Sequence, residues 1–193
     1  LQLAFERRAL DAALDLAGPA PADRVLDLAT GTGALLRRLA ARPEPPREVL
    51  GVDASAGMLA RVSGLPRGWR VRQADARRLP CAPGRFDLVT AAYLLHLLDP
   101  PARRAVVREA GRVLGPGGRL VVVTVIESPA AACGPVFAAL AAWARRSSGI
   151  VAGLRPLDPR PALGAAGFEV LGARRTTRGY PSLSVLARPK GGL

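Results

Sequence analysis

"RVLDLATGTGALLRRL", Arg24 to Leu39, decides the fold. An apolar run ends in an acid, Asp27, and "TGTG" then turns the chain at once. Leu35, Leu36, Leu39 and Ala40 follow at helical spacing until "RPEPP" breaks the pattern. The stretch therefore predicts a buried strand, a glycine turn and a helix. Gly31 and Gly33 carry no side chains, so backbone can approach a ligand closely there. The amides that open the helix can donate to a carboxylate or a phosphate.

The same alternation repeats along the chain. Leu3, Leu10, Leu14 and Ala17 form one stripe of an opening helix, stopped by "GPAPAD". "EVLGVD" is a second strand, Ser55 to Val62 a short helix, "WRVRQAD" a third strand and "FDLVTAAY" a fourth. Asp99 caps a helix with Pro100 just inside it, and "GPGG" ends that helix. "RLVVVTVI" is apolar on both faces, as in the centre of a covered sheet. The tail differs: "GFEVLGARRT" and "PSLSVLAR" leave no room for a helix between them and predict an antiparallel hairpin at one edge. The expectation is α/β: a doubly wound, seven-stranded sheet, mostly parallel, with an antiparallel C-terminal hairpin. It forms one domain over residues 1–193, with residues 127–167, rich in Ala, Gly and Pro, as an irregular segment that covers a pocket.

Composition narrows the class. At 193 residues and 49% hydrophobic, the chain can bury a core. Its purest apolar run, Leu120 to Ile126, is far short of the ~20 residues that span a bilayer. Two cysteines, Cys81 and Cys133, lack metal-ligand spacing, and reduced thiols in a cytoplasmic protein are the plain expectation. The net charge of +13 comes from scattered arginines, none in a run longer than two. A nucleic-acid surface usually concentrates charge, and 4% aromatics is sparse for base stacking.

Ligands of doubly wound sheets sit at the carboxyl ends of strands, where strand order reverses. Three acids fall there: Asp27 after the first strand, Asp53 after the second and Asp75 after the third. Asp53 lies twenty residues past Gly33, placed to accept from a ribose diol, and Asp75 is placed to accept from the amino group of a base. One nucleoside with a zwitterionic tail accounts for the turn and all three acids. A dinucleotide fingerprint shares the glycines and the later acid. However, it wants a small residue where Leu36 stands, and Asp27 would face a cation better than a pyrophosphate.

With these motifs the chain resembles the class I S-adenosylmethionine-dependent methyltransferases, closest to small-molecule enzymes of the quinone-biosynthesis type. "VLDLATGTG", "VLGVDAS", "QADARRLP", "GRFDLVTAAYLLHLL", "VLGPGGRLVVVT" and the final hairpin carry the resemblance from Arg24 to Lys190. It implies S-adenosylmethionine as donor and S-adenosylhomocysteine as product. By the same resemblance Asp27 and the backbone of Ala29, Thr30, Gly31, Thr32 and Gly33 hold the methionine part. Asp53 takes the ribose, Ala54 and Met58 line the adenine, Asp75 and Ala76 meet its amino edge, and Ala91 and Ala92 flank the sulfonium. Met58 on residue type alone is equally ordinary core.

The acceptor is less legible. A small molecule is expected, taken up by in-line displacement. His96, the sole histidine, and Tyr93 follow the fourth strand. His96 is either a base or acceptor-orienting group, or a polar side chain bonded to backbone in an apolar turn. Tyr93 either covers the cofactor or packs in the core. Phe137 and Trp143 in the 127–167 segment suit an apolar acceptor, or else pack a helix on the sheet. Three alternatives stand: an RNA methyltransferase, favoured by charge; a nicotinamide oxidoreductase; and a non-catalytic binding protein on the same fold.

Overall fold

Trp69, at an outer edge, and Phe168, at the other, close a sheet whose middle is almost wholly aliphatic. The computed structural model describes residues 2–126, 156–177 and 181–191. Among them the strands are β1 (Arg24–Leu28), β2 (Glu48–Asp53), β3 (Trp69–Gln73), β4 (Phe86–Ala92), β5 (Leu114–Val125), β6 (Phe168–Thr176) and β7 (Ser182–Pro189). They form one seven-stranded sheet in the order β3-β2-β1-β4-β5-β7-β6. The first five are parallel, and β7 runs antiparallel between β5 and β6.

Helices cover both faces. Leu26, Leu28, Val52, Val89 and Val122 point to the side of α4 (Pro100–Val113) and the short α5 (Arg160–Ala165). Val25, Val49, Leu88, Val121 and Val123 point to the side of α1 (Gln2–Ala17) and α2 (Ala34–Ala40). Leu14, Leu36 and Leu39 are fully enclosed on that side, each contributing roughly 1.5–3 kcal/mol by leaving water. Leu36, the residue that argued against a dinucleotide, is thus a helix-to-sheet packing residue. Arg119 fixes the far end of α1 by donating to the carbonyls of Ala17 and Gly18 and to the Asp23 carboxylate at 2.6–2.8 Å.

Two boundaries differ from the sequence expectation. The third helix, α3, is only Ala56–Leu59, with the Ser55 hydroxyl accepting from the Met58 amide. The "GPGG" stretch belongs to the irregular start of β5 rather than to a free loop. A side chain at Gly118 would come within 2.9 Å of the Gly115 carbonyl, which explains why glycine is needed there.

The order reverses around β1, which β2 flanks on one side and β4 on the other. The crevice of this sheet therefore opens above the carboxyl ends of β1 and β4.

Candidate functional site

The turn after β1 is left-handed at three nearby positions: Ala29 (φ 55°), Gly31 (φ 56°) and Gly33 (φ 82°). A non-glycine residue held there costs about 1–3 kcal/mol, so the surroundings must impose the conformation. They do so through polar contacts from three strands. The Thr30 amide donates to the Val52 carbonyl at 3.0 Å. The Thr30 hydroxyl donates to Asp27 Oδ2 at 2.7 Å, and the Thr90 hydroxyl of β4 donates to Asp27 Oδ1 at 2.6 Å. Asp53 Oδ2 accepts the Gly31 amide at 2.8 Å, and its Oδ1 accepts the Ser55 amide at 2.8 Å. The glycine turn and the second acidic strand end are therefore one bonded unit.

Asp27 does not open onto the cleft as the sequence implied. It is 1% exposed, with both oxygens satisfied by threonine hydroxyls beneath the turn. Burial pushes its carboxyl up to about 6, against the lowering effect of Thr90 and Thr30 and with a further upward contribution from the Asp53 charge. With each oxygen already taking a threonine hydroxyl, this carboxylate holds the turn from beneath. Its partner Thr90 was not singled out from sequence, although a hydroxyl in the apolar run of β4 is a visible signal. Gly51 was missed as well. A side chain there would meet Thr30 Oγ1 at 2.5 Å, so glycine in the middle of β2 makes room for Thr30.

The outer positions are open. At Gly31 an added carbon would meet nothing nearer than the Ala29 carbonyl at 3.9 Å, which leaves bare backbone facing free space. Asp53 is half-buried, and Ala54 is exposed with its carbonyl bonded by Gln73. Met58 is 43% exposed, which excludes the ordinary-core reading of that residue. Asp75 is exposed, and the Arg77 guanidinium and amide engage it at 2.7–3.0 Å, holding its carboxyl below the usual range. Ala76 packs beside it on the α4-side core. These features fit a nucleoside donor: an open backbone turn, a carboxylate whose oxygens each retain accepting capacity beyond one amide, and an exposed carboxylate further along the rim.

The β4 end has another character. Ala91 is 2% exposed with its methyl in the α4-side core, so only its backbone can face the cleft; Ala92 lies with the α1-side cluster. Tyr93 is left-handed (φ 56°), its amide bonded to the Val123 carbonyl at 2.8 Å and its hydroxyl 2.9 Å from Ser182 Oγ of β7. His96 sits in the 3-10 turn Leu95–Leu97 and is 4% exposed. Its ring meets that of Tyr93 edge-on at 6.1 Å between centroids. Its Nδ1 is buried and has no hydrogen-bond partner among the described residues, so the expected backbone bond is not made there. Burial first, and the nearby Arg103 charge second, lower its pKa to about 4, leaving the imidazole neutral at ordinary pH. Arg103 of α4 donates to the carbonyls of Leu95 and Leu98 at 3.0 and 2.9 Å and so fastens this turn.

Phe137, Trp143 and Cys133 lie outside the described residues. The described end of the 127–167 segment is tied to β5: Leu157 donates to the Val125 carbonyl at 2.8 Å, and Thr124 Oγ1 donates to the Leu157 carbonyl at 2.8 Å. Leu163 there is fully buried in the core. Among the described residues no cluster of His, Cys, Asp and Glu could hold a metal, and no helix is long and apolar enough to cross a membrane.

Residues 25–118 match the family described as "Methyltransferase domain". The chain is 42% identical over 139 residues to a demethylmenaquinone methyltransferase of Thermus thermophilus, covering 70% of this chain and 60% of that protein. It is 43% identical over 109 residues to the ubiquinone/menaquinone biosynthesis C-methyltransferase UbiE of Desulfotalea psychrophila, covering 54% of this chain and 42% of the relative. The chain thus spans about half the length of the curated relatives it matches. A crystal structure of a putative methyltransferase from Bacillus halodurans superposes with a TM-score of 0.74 at 19% identity, over 95% of this chain and 100% of that one. The motif-bearing turn, the strand order and these matches converge: residues 25–118 are similar to the methyltransferase-domain family, and the sheet has the fold of a solved methyltransferase-like structure.

Proposed function

We propose that the chain transfers a methyl group from S-adenosylmethionine to a ring carbon of a small aromatic acceptor, of the demethylmenaquinone kind that its relatives are named for, taken in its electron-rich reduced form: the carbon–methyl bond forms as the methyl–sulfur bond breaks, S-adenosylhomocysteine leaves and the ring C–H proton is lost to solvent. One observation carries the donor half. The Gly31 amide is bonded at 2.8 Å to the Asp53 carboxylate, so the bare turn and the acid at the end of β2 are one unit, which supports a joint role in holding the donor.

When bound, the sulfonium supplies an already activated methyl. The chain's own work is then to bind and align, which can contribute roughly 7–11 kcal/mol when reacting atoms are held in near-attack geometry. The backbone of Ala29 to Gly33 would receive the amino-acid tail. Asp53 would take the ribose hydroxyls, Ala54 and Met58 would border the adenine, and Asp75 with Ala76 would meet its amino edge. For Asp75 this requires Arg77 to share the carboxylate. Asp27 is a positioning residue in this reading. The backbone of Ala91 and Ala92, with Tyr93, would face the transferring end. The chain would act as one domain, with the 127–167 segment over the acceptor and a cytoplasmic location, as its sparse cysteines suggest.

The RNA alternative rests on charge. Among the described residues ten arginines, such as Arg24 with Asp87 and Arg38 with Asp11, pair with carboxylates; the excess of +13 remains, but these pairs are scattered over the elements rather than gathered in one stripe. Calorimetric titration with S-adenosylmethionine and with a nicotinamide dinucleotide tests the donor, and only the first is expected to bind. Methyl-labelled donor incubated with cell extract tests the acceptor. The label is expected in the lipid-extractable fraction, and label in a nuclease-sensitive fraction would overturn the small-molecule reading.

A further inference from the structure

His96 is a buried polar side chain with an unused atom. A buried donor or acceptor left without a partner is costly, and most such groups in folded proteins find one. Here the surroundings fix the cost in place instead of relieving it. Arg103 grips the turn on either side of His96 through the Leu95 and Leu98 carbonyls. The Tyr93 ring, itself held in a left-handed backbone conformation, stands edge-on to the imidazole. The Tyr93 hydroxyl is turned to Ser182, which pairs with Val125 at the carboxyl end of β5. His96 therefore follows the carboxyl end of β4, the edge of a doubly wound sheet at which ligands bind. Such an orphaned group, rigidly supported, is what a site looks like when its partner comes from the ligand.

We propose that His96 is the acceptor-binding residue, its Nδ1 making a hydrogen bond to a ring hydroxyl of the acceptor, with Arg103 as the positioning residue that fixes the turn. This rests on the methyltransferase reading above and adds the group that recognises the acceptor. A neutral imidazole and a hydroxyl can each donate or accept, so either tautomer serves. The low basicity produced by burial and Arg103 suits a hydrogen-bonding group rather than a proton-abstracting base. A site built to bond a hydroxyl rejects the analogue lacking it, because the protein group is then left unpaired.

The test uses the full chain with S-adenosylhomocysteine present. Binding of 2-prenyl-1,4-dihydroxynaphthalene, kept reduced, is compared with binding of 2-prenylnaphthalene, the same skeleton without hydroxyls. The parent protein is expected to prefer the diol by at least about ten-fold. In H96F the preference should fall to about two-fold or less, while H96N, whose amide can occupy the Nδ1 position, should keep it to within about three-fold of the parent. H96F should also melt roughly 2–4 °C higher, since it removes a buried unpaired atom. Affinity for S-adenosylmethionine should stay within two-fold in all three proteins. Three results would overturn the proposal: a parent that does not distinguish the two ligands, an H96F protein that still does, or an H96F protein that melts lower. Loss of donor binding by the parent itself would instead sink the methyltransferase reading.

Discussion

The two halves of the rim treat polar atoms in opposite ways. At the β1–β2 end, the carboxylates of Asp27 and Asp53 each hold two hydrogen bonds from neighbouring strands and turns. At the β4–β5 end, a histidine is enclosed with a nitrogen that nothing among the described residues satisfies. The first half is complete before any ligand arrives; the second is finished by one. The difference teaches where specificity resides. A donor shared across a family needs a fixed cradle, while an acceptor that varies is read by a few groups held ready.

The comparison can be broken first at Asp27. Its carboxyl binds a proton more tightly folded than unfolded, so the stability this brings is fully present below about pH 4 and is lost as pH rises through about 6. Urea denaturation of Asp27→Asn and the parent across that window should show the gap between them shifting by up to roughly 3 kcal/mol in favour of the variant. A parallel pair of curves would mean the carboxylate is not enclosed. Next in size, Asp53→Ala removes two bonds from backbone amides and the proposed ribose acceptor. A loss of about 1.5–3 kcal/mol is expected, read by calorimetry as donor binding weakened about 10- to 150-fold. Unchanged affinity would dissolve the donor half as described.

Gly51→Ala sharpens the same half. Its new methyl would collide with Thr30 Oγ1, so a destabilisation of roughly 1–3 kcal/mol should appear in chemical denaturation, together with weaker donor binding. Smallest is Arg77→Ala. The pair it forms with Asp75 is exposed and worth little, but it occupies the carboxylate that would meet the adenine. Donor affinity should rise, by no more than about five-fold. A fall would mean that Arg77 itself contacts the donor.

Much of the first half was readable from residues alone. The strand–turn–helix of Arg24 to Leu39 appears where its spacing placed it, and so do Asp53 at the end of β2 and the reversed hairpin of β7 and β6. Period and glycine placement are local properties, and sequence displays them. The enclosure of Asp27 was not readable, because it involves Thr90, sixty-three positions away in sequence, beside it on the neighbouring strand. Gly51 escaped for a similar reason: its bareness matters only once Thr30 is laid over it. His96 could be named as a candidate, but an unmade bond has no sequence signature. Whether its nitrogen would be satisfied depended on how Arg103 and Tyr93 fold around it.

The contact of Thr30 with the bare backbone of Gly51 also governs how this chain can evolve. Thr30 leans on Gly51, bonds Asp27 and through it shares a carboxylate with Thr90. Residues linked this closely do not contribute independently, so double substitutions among the four will depart from the sum of their single effects. A lineage can exchange them only as a set. His96 shares no bond with that set, so new acceptors can be explored there one residue at a time while the donor machinery stays frozen.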